Sequence, residues 1–321
     1  MSGTLTAPVV VDGATGYVGS NLVSALCAAG HQVRCIVRPD ANPDDLDFLR
    51  SCGAGICTAD LLDPGGALVE AMKGAGVAVH LIGSIAPRRG ESPEKLHGGQ
   101  TERLVEHCPI HGVKKIVLVT ALGTASGAPS AYHSSKARAE EILKSSGLDY
   151  AIVRPSLIVG RKEGRRDSKL VERFRRLIAT RNAVPLVGRG QNRIQPLFVG
   201  DLVLALKATI ETERWDGMTL EIGGADVVTM RQFVEELMRA LGVGKPIMAV
   251  PPALAFVAAF FSQLIQDRPL ISMDQVTLSL ADNVCSENKI YSLLGGNPTP
   301  LWQALATYSQ AETAGSLPAK N

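Results

Sequence analysis

Tyr132 and Lys136 stand four residues apart, one helical turn, so that both side chains can reach one point. A phenol with a pKa of about 10 is a poor base at neutral pH, and a nearby ammonium favours its phenolate. The pair therefore reads as a general acid/base with an electrostatic partner. Thr120 closes an apolar run twelve residues earlier. A second group is Gly13, Gly16 and Gly19, in the run Asp12-Gly13-Ala14-Thr15-Gly16-Tyr17-Val18-Gly19. A turn without β-carbons at a strand-to-helix junction leaves backbone N–H groups and the positive helix end open to an anion such as a pyrophosphate. Thr15, Tyr17 and Val18 share that turn and are expected to bind with it. The spacing is G-x-x-G-x-x-G rather than G-x-G-x-x-G, so a plain packing turn stands as the alternative. Arg38 follows the second apolar run, where an acid would hold a ribose 2′-hydroxyl. Its guanidinium fork suits a 2′-phosphate instead, which favours NADP(H) over NAD(H); a solvated strand-end arginine is the other reading.

These residues need a scaffold of alternating strands and helices, and the first half of the chain provides that pattern. Short β-branched runs are expected as strands at Val9–Val11, Val33–Val37, Gly55–Thr58, Val77–Ile82, Lys115–Thr120 and Tyr150–Val153. Helices are expected between them, notably Gln100–Cys108 and Ser134–Lys144, with Gly30 as a left-handed stop after the first. After Pro155 the regularity loosens. Pro196–Leu206 reads as a strand turning into a helix, Met218–Ile222 as a strand, and Thr229 to Gln232 as a capping box. The fold class expected is α/β: a Rossmann-like, doubly wound parallel sheet with a smaller C-terminal α/β lobe. Residues 1–158 form the dinucleotide-binding domain, with 196–222 returning to it. Residues 159–195 and 223–311 form the lobe, and 312–321 a flexible tail.

Length and composition are consistent with this. The chain has 321 residues, 45% hydrophobic and 20% charged, enough for a sizeable core and unlike a disordered or fibrous protein. A net charge of +2 gives no global drive toward nucleic acid. The six cysteines (Cys27, Cys35, Cys52, Cys57, Cys108 and Cys285) show no C-x-x-C and no metal-ligand spacing, so reduced thiols and no metal site are expected. Met1 to Pro8 lacks the basic-then-apolar order of a secretory signal, and a cytoplasmic location follows.

The glycine turn in its first strand–helix unit resembles the short-chain dehydrogenase/reductase superfamily in its extended and atypical branches. The resemblance implies that Asp60, with Leu61 beside it, follows the third strand to meet the adenine, although a turn-capping aspartate is equally compatible with Thr58-Ala59-Asp60-Leu61. It implies that Tyr132 is the acid/base, that Lys136 also holds the nicotinamide ribose, and that Thr120 binds the substrate oxygen where relatives more often carry Ser. Arg154-Pro155-Ser156 is similar to the segment by which the extended branch leaves its sixth strand toward the substrate lobe. Pro155 there either faces the cofactor or simply ends the strand. His97 stands where relatives commonly carry Asn. Ser134-Ser135-Lys136-Ala137, Gly147 to Ser156, Gln195 to Asp201, Asp274-Gln275-Val276 and Asp282-Asn283-Val284 resemble one atypical subgroup. That subgroup contains the nucleotide-binding accessory subunit of respiratory complex I and its bacterial relatives.

Two further segments bear on partners. Arg161 to Arg181 is strongly basic, with Lys169, Arg173 and Arg176 on one helical face. It suits a solvated edge, a lid over cofactor phosphates, or an acidic membrane or partner surface. Ala253 to Ile265 is apolar nearly all round, as a buried lobe helix or as a peripheral contact with a membrane or a membrane-bound complex. Three functions remain in view: an oxidoreductase at a carbonyl or alcohol of unknown substrate, a non-catalytic accessory or assembly protein of a membrane complex, and a sugar-nucleotide epimerase. The oligomeric state is not legible.

Overall fold

The computed structural model describes residues 5–62, 66–83, 92–161, 163–265 and 272–313. Met1 to Thr4, Lys162 of the basic segment and the tail from residue 314 lie outside it; Glu312 and Thr313 belong to the last helix.

The β-branched runs become a parallel sheet, and the segments between them become its covering helices. In order these are β1 (Val9–Asp12), α1 (Tyr17–Ala28), β2 (Val33–Val37), α2 (Pro43–Ser51), β3 (Gly55–Thr58), α3 (Gly66–Met72), β4 (Val77–His80), α4 (Gln100–Ile110), β5 (Lys115–Val119), α5 (Ala131–Lys144) and β6 (Asp149–Pro155). The second half adds β7 (Ile158–Val159), α6 (Lys169–Thr180), β8 (Val184–Val187), β9 (Arg193–Ile194), β10 (Leu197–Phe198), α7 (Val199–Glu211), β11 (Met218–Ile222), β12 (Val228–Thr229), α8 (Met230–Ala240), β13 (Ile247–Val250), α9 (Pro252–Ile265), α10 (Met273–Leu280), α11 (Ile290–Leu294) and α12 (Leu301–Thr313).

Seven strands pair in the order β11-β6-β5-β4-β1-β2-β3, every pair parallel. This is a doubly wound Rossmann-like sheet whose order reverses between β1 and β4, where the open crevice at the strands' carboxyl ends takes ligands. Val9, Val10 and Val11 are all buried because helices cover both faces, which is why the strand reads as a continuous apolar run. One face carries α1, α7 and α11; Leu22 and Leu26 of α1 pack there with Leu202 and Leu206 of α7 and Leu220 of β11. The other carries Leu68, Leu104 and Leu143 from α3, α4 and α5.

A second core lies outside the sheet, around Phe174, Leu186, Phe233, Leu237 and Tyr308. The capping box at Thr229 and Gln232 starts α8, whose Phe233 and Leu237 face inward, and a second one at Ser272 and Gln275 starts α10.

Element ends depart from the sequence pattern near the candidate site residues. The fourth strand stops at His80 rather than Ile82, and α5 begins at Ala131 rather than Ser134, placing Tyr132 in its first turn. A π-helical turn, Lys95–Gly99, carries His97 into α4. Nor does α9 sink into the lobe: Ala255 and Ala259 are its buried positions, Phe256 is half-buried, and Phe260 is 54% exposed. The core-helix reading of Ala253 to Ile265 is therefore corrected.

Candidate functional site

The turn from β1 to α1 is built to leave room. Gly13 has φ +62°, and a β-carbon there would lie 3.2 Å from Leu81. A β-carbon on Gly19 would stand 2.2 Å from the Gly13 carbonyl oxygen and 2.7 Å from Ala14 Cα, so only glycine lets the helix sit against the turn. Gly16 is the N-cap of α1 and has no side chain to cap the first amides, which therefore face the crevice as an anion cradle. A pyrophosphate fits this geometry. Thr15 and Val18 are half-buried in the turn. Tyr17 contributes backbone only, since its hydroxyl is turned away to donate to the Gly160 carbonyl.

Beneath the turn lies a pair that no sequence motif announces. Asp12 is buried, accepts from the Leu81 amide at 2.8 Å through Oδ1, and meets His80 Nδ1 through Oδ2. It ties the ends of β1 and β4 together at the point where the strand order reverses. The only sequence signal was a carboxylate between Val11 and Gly13.

Arg38 follows β2 and is half-exposed, with Asp40 at 3.3 Å. Such an exposed pair holds its partners weakly, leaving the guanidinium able to turn to another anion. Asp60, after β3, accepts from the Leu62 amide at 3.0 Å, which is the turn-capping geometry, and Leu61 is buried. Strands in one parallel sheet lie about 4.8 Å apart, so Arg38 and Asp60 edge the same crevice as the glycine turn.

Tyr132 and Lys136 meet this crevice from α5. Lys136 is only 2% exposed, and its Nζ donates to the Ile82 carbonyl at 2.8 Å and the Val119 carbonyl at 3.1 Å, just past β4 and at the end of β5. Burial pulls its pKa down to about 8, against the opposing pull of Asp12 and Glu140. Burial pushes the Tyr132 phenol up to about 12. His97 packs edge-on against the Tyr132 ring at 5.5 Å, and its Nδ1 lies 2.8 Å from Ser135 Oγ. Burial, then Lys136 and His80, lowers its pKa to about 3, so it stays neutral at physiological pH.

Thr120 departs from its expected part. Its hydroxyl donates to Glu140 Oε1 at 2.8 Å, and that carboxylate is gripped by Arg154 at 2.9 and 2.6 Å. The geometry turns Thr120 toward a buried ion pair that fixes α5 against β5 and β6. Pro155 is buried at the end of β6, its carbonyl accepting from the Leu122 amide. Glu140→Gln is expected to lower stability by about 3 kcal/mol, the low end for breaking a buried pair, because Arg154 retains 21% exposure. Denaturant unfolding measures it, and a loss under about 0.5 kcal/mol would mean the carboxylate is not holding the helix.

Asp274, at the start of α10, completes the setting. Its Oδ2 accepts from Ser130 Oγ and from the Tyr132 amide, both at 3.3 Å, so the C-terminal lobe caps the helix that carries the phenol. The basic segment goes elsewhere. Arg165 pairs with Asp44, Arg166 with Asp45 at 3.0 Å, and Asn21 exchanges hydrogen bonds with the Glu163 backbone. This part of the segment straps onto α1 and α2, with Arg165 and Arg166 about half exposed in those pairs.

A family profile described as NAD(P)H-binding matches residues 13–184, more than half of the chain. The chain is 25% identical over 293 residues to the mitochondrial NADH dehydrogenase (ubiquinone) 1 alpha subcomplex subunit 9 of Arabidopsis thaliana, covering 87% of this chain and 71% of that protein. It is 26% identical over 312 residues to a 2-alkyl-3-oxoalkanoate reductase of Stenotrophomonas maltophilia, covering 87% of this chain and 89% of that protein. Among solved structures, MoeE5 in complex with UDP-glucose and NAD matches with a TM-score of 0.73 at 20% identity. The match covers 96% of this chain and 100% of that one, a likeness of fold.

Proposed function

The chain belongs to the NAD(P)H-binding family, of the short-chain dehydrogenase/reductase type, and from that premise we propose that it is an oxidoreductase that reduces a carbonyl group with NADPH. The observation that carries this reading is the placement of Tyr132 and Lys136 on the first turns of α5, with the Lys136 ammonium between the ends of β4 and β5 beside the glycine turn. When bound, the reduced nicotinamide supplies the hydride. Gly13, Gly16 and Gly19 leave the α1 amides to the pyrophosphate, Arg38 turns to the 2′-phosphate, and Asp60 faces the adenine side. Lys136 holds the nicotinamide ribose. The Tyr132 phenol gives its proton to the carbonyl oxygen as that oxygen becomes a hydroxyl. Glu140, Arg154 and Thr120 keep α5 in place. The crevice lies between a domain of residues 1–158 with 196–222 and a lobe drawn from residues 159–195 and 223–311, corrected in that α11 packs on the sheet domain through Ile290 and Leu293 rather than in the lobe.

A second reading is an accessory protein of a membrane complex that binds the cofactor without turnover. It is supported by the apolar outer face of α9 and by the likeness to the Arabidopsis subunit. No helix among the described residues is long and apolar enough to cross a membrane, so such an attachment would be peripheral.

Identification of the nucleotide released by denaturing the pure protein, together with titrations of NADPH and NADH, tests the cofactor reading. Arg38→Ala is expected to weaken NADPH binding about tenfold or more while leaving NADH unchanged, the effect of losing a charge-assisted hydrogen bond. Equal preference in wild type and variant would remove Arg38 from the site. NADPH oxidation with a panel of carbonyl compounds separates the reductase from the accessory reading.

A further inference from the structure

Asp12 and His80 stand on the same side of the sheet as Tyr132 and Lys136. Val9 and Val11 pack toward α1 and α7 while Val10 packs toward α3, α4 and α5, so the alternation along β1 sends Asp12 to the latter face. Val77, Ala78 and Val79 repeat that order along β4 and send His80 the same way. The register that pairs Val11 with Val79 sets the two side chains opposite each other. Both are buried.

Asp12 and Lys136 grip one short segment from two sides. The Asp12 carboxylate accepts from the Leu81 amide, and the Lys136 ammonium donates to the carbonyl of the next residue, Ile82, each at 2.8 Å. A β-carbon on Gly83 would lie 2.8 Å from Lys136 Nζ, so the ammonium fills the space that a side chain there would need. The titratable groups facing Lys136 are Tyr132 and Glu140 of its own helix, His97 of the π-helical turn, His80 of β4 and Asp12 of β1. Cys108 of α4 faces Asp12 as a neutral thiol, burial pushing it up to about 12, and Asp274 of α10 meets the Tyr132 amide. Of the two carboxylates nearest the ammonium, Glu140 already has Arg154 of β6 at 2.6 Å and Lys144 at 3.6 Å. Asp12 has His80 as its one side-chain partner among the described residues.

A buried ammonium persists only beside a compensating charge. Burial is the larger pull on Lys136 and acts downward; Asp12, ahead of Glu140, opposes it. His80 places Nδ1 on Asp12 and leaves Nε2 buried without a hydrogen-bond partner. A clamp whose task ended at joining two strands would be as stable in apolar side chains, which leave no polar atom unmet.

We propose that Asp12, oriented by His80, is the counter-charge that keeps Lys136 an ammonium in its buried place, which makes it a positioning residue for the proton transfer at Tyr132. The kinetic half rests on the reductase reading; the charge does not.

Asp12→Asn removes the charge and keeps an oxygen for the Leu81 amide. The full chain, labelled with ¹³C at lysine Cε and carrying the same nucleotide content in every variant, is titrated by NMR; the Lys136 signal is the one lost in Lys136→Met. Wild type is expected to titrate near pH 8, and Asp12→Asn about one pH unit or more lower, the effect of losing an opposite charge close by. His80→Gln, which leaves the carboxylate in place, is expected to stay within about half a pH unit of wild type. In NADPH oxidation with a ketone that is turned over, kcat of Asp12→Asn is expected to descend above about pH 7 rather than about 8, and to lie within about twofold of wild type near about pH 6. An unmoved Lys136 midpoint in Asp12→Asn, or a shift in His80→Gln as large as that expected of Asp12→Asn, would each overturn the counter-charge. So would a wild-type Lys136 already neutral at about pH 6.5, and that titration with His80→Gln decides the matter if Asp12→Asn does not fold. A kcat lowered by the same factor at every pH, its descent unmoved, would leave Asp12 a structural clamp and overturn the positioning role. Turnover of no ketone, with the Lys136 midpoint moved, strikes the reductase reading instead and leaves the counter-charge supported.

Discussion

Tyr132→Phe is expected to lower carbonyl reduction by about 10²–10⁴-fold, the usual contribution of a positioned general acid, while nucleotide affinity stays within about twofold. In the proposed reaction the phenol acts on the substrate, whereas the pyrophosphate cradle would be made by glycines of another element. The pH profile should carry the signature of Lys136 rather than of Tyr132. Reduction needs the phenol protonated, and with its pKa at about 12 it stays so throughout the working range. Lys136, at about 8, loses its charge as the pH rises through that value. The phenolate formed on proton donation then loses its cationic partner, the phenol becomes a weaker acid, and kcat falls. The expected profile is flat from about pH 6 to 7.5 and descends above about 8. A kcat that stays level through about pH 9.5 would separate Lys136 from the proton transfer, and an unchanged kcat in Tyr132→Phe would remove the phenol from the reaction.

Gly19→Ala is expected to abolish nucleotide binding, with at least about a hundredfold rise in Kd and a stability loss of roughly 1–3 kcal/mol from overpacking. The new β-carbon would meet the Gly13 carbonyl oxygen at 2.2 Å and the Ala14 backbone at 2.7 and 2.9 Å. These are main-chain atoms and cannot swing aside, so α1 must move away from β1 and its amides lose their aim. Gly30→Ala is the control. It also breaks a glycine preference, with φ +84°, but nothing lies within 4 Å of the added carbon and the position closes the far end of α1. It should cost about 1 kcal/mol and leave binding intact. Calorimetric titration of both variants decides the matter; full NADPH affinity in Gly19→Ala would mean that the turn tolerates a β-carbon and is not the cradle.

Much of this was legible along the chain because local rules wrote it there. Valine-rich runs buried on both faces read as parallel strands, and the three glycines follow the first of them without a break. The 3.6-residue period places Tyr132 above Lys136 wherever the helix lies. The capping box at Thr229 and Gln232 is likewise a contract between neighbours, and the structure contains it as read. Residues whose meaning depends on a distant partner were missed or misread. Asp12 looked like part of the turn and is a clamp on Leu81 and His80, sixty-nine and sixty-eight residues away. Thr120 looked available to a substrate until folding brought Glu140 to its hydroxyl. Asp274 reaches Tyr132 across 142 residues, with no pattern near either to announce it.

The apolar segment from Ala253 to Ile265 shows the same division. Sequence by itself determined that this stretch is a helix without charge, since composition and period are local properties. It could not say which side faces water, because buried and exposed sides are equally apolar and the helical period then carries no contrast. The tertiary structure decided it by packing the alanines, whose small side chains allow close approach to the lobe, and leaving Leu254, Phe260 and Phe261 outside. So the strands of the first half, the glycine turn and the Tyr–Lys spacing were determined by residues close in sequence, whereas the strand order was not. The burial that sets the Lys136 and Tyr132 proton affinities, the Glu140 clamp and the outward face of α9 exist only once remote segments share a desolvated space, because desolvation is a property of the enclosure and not of any one residue in it.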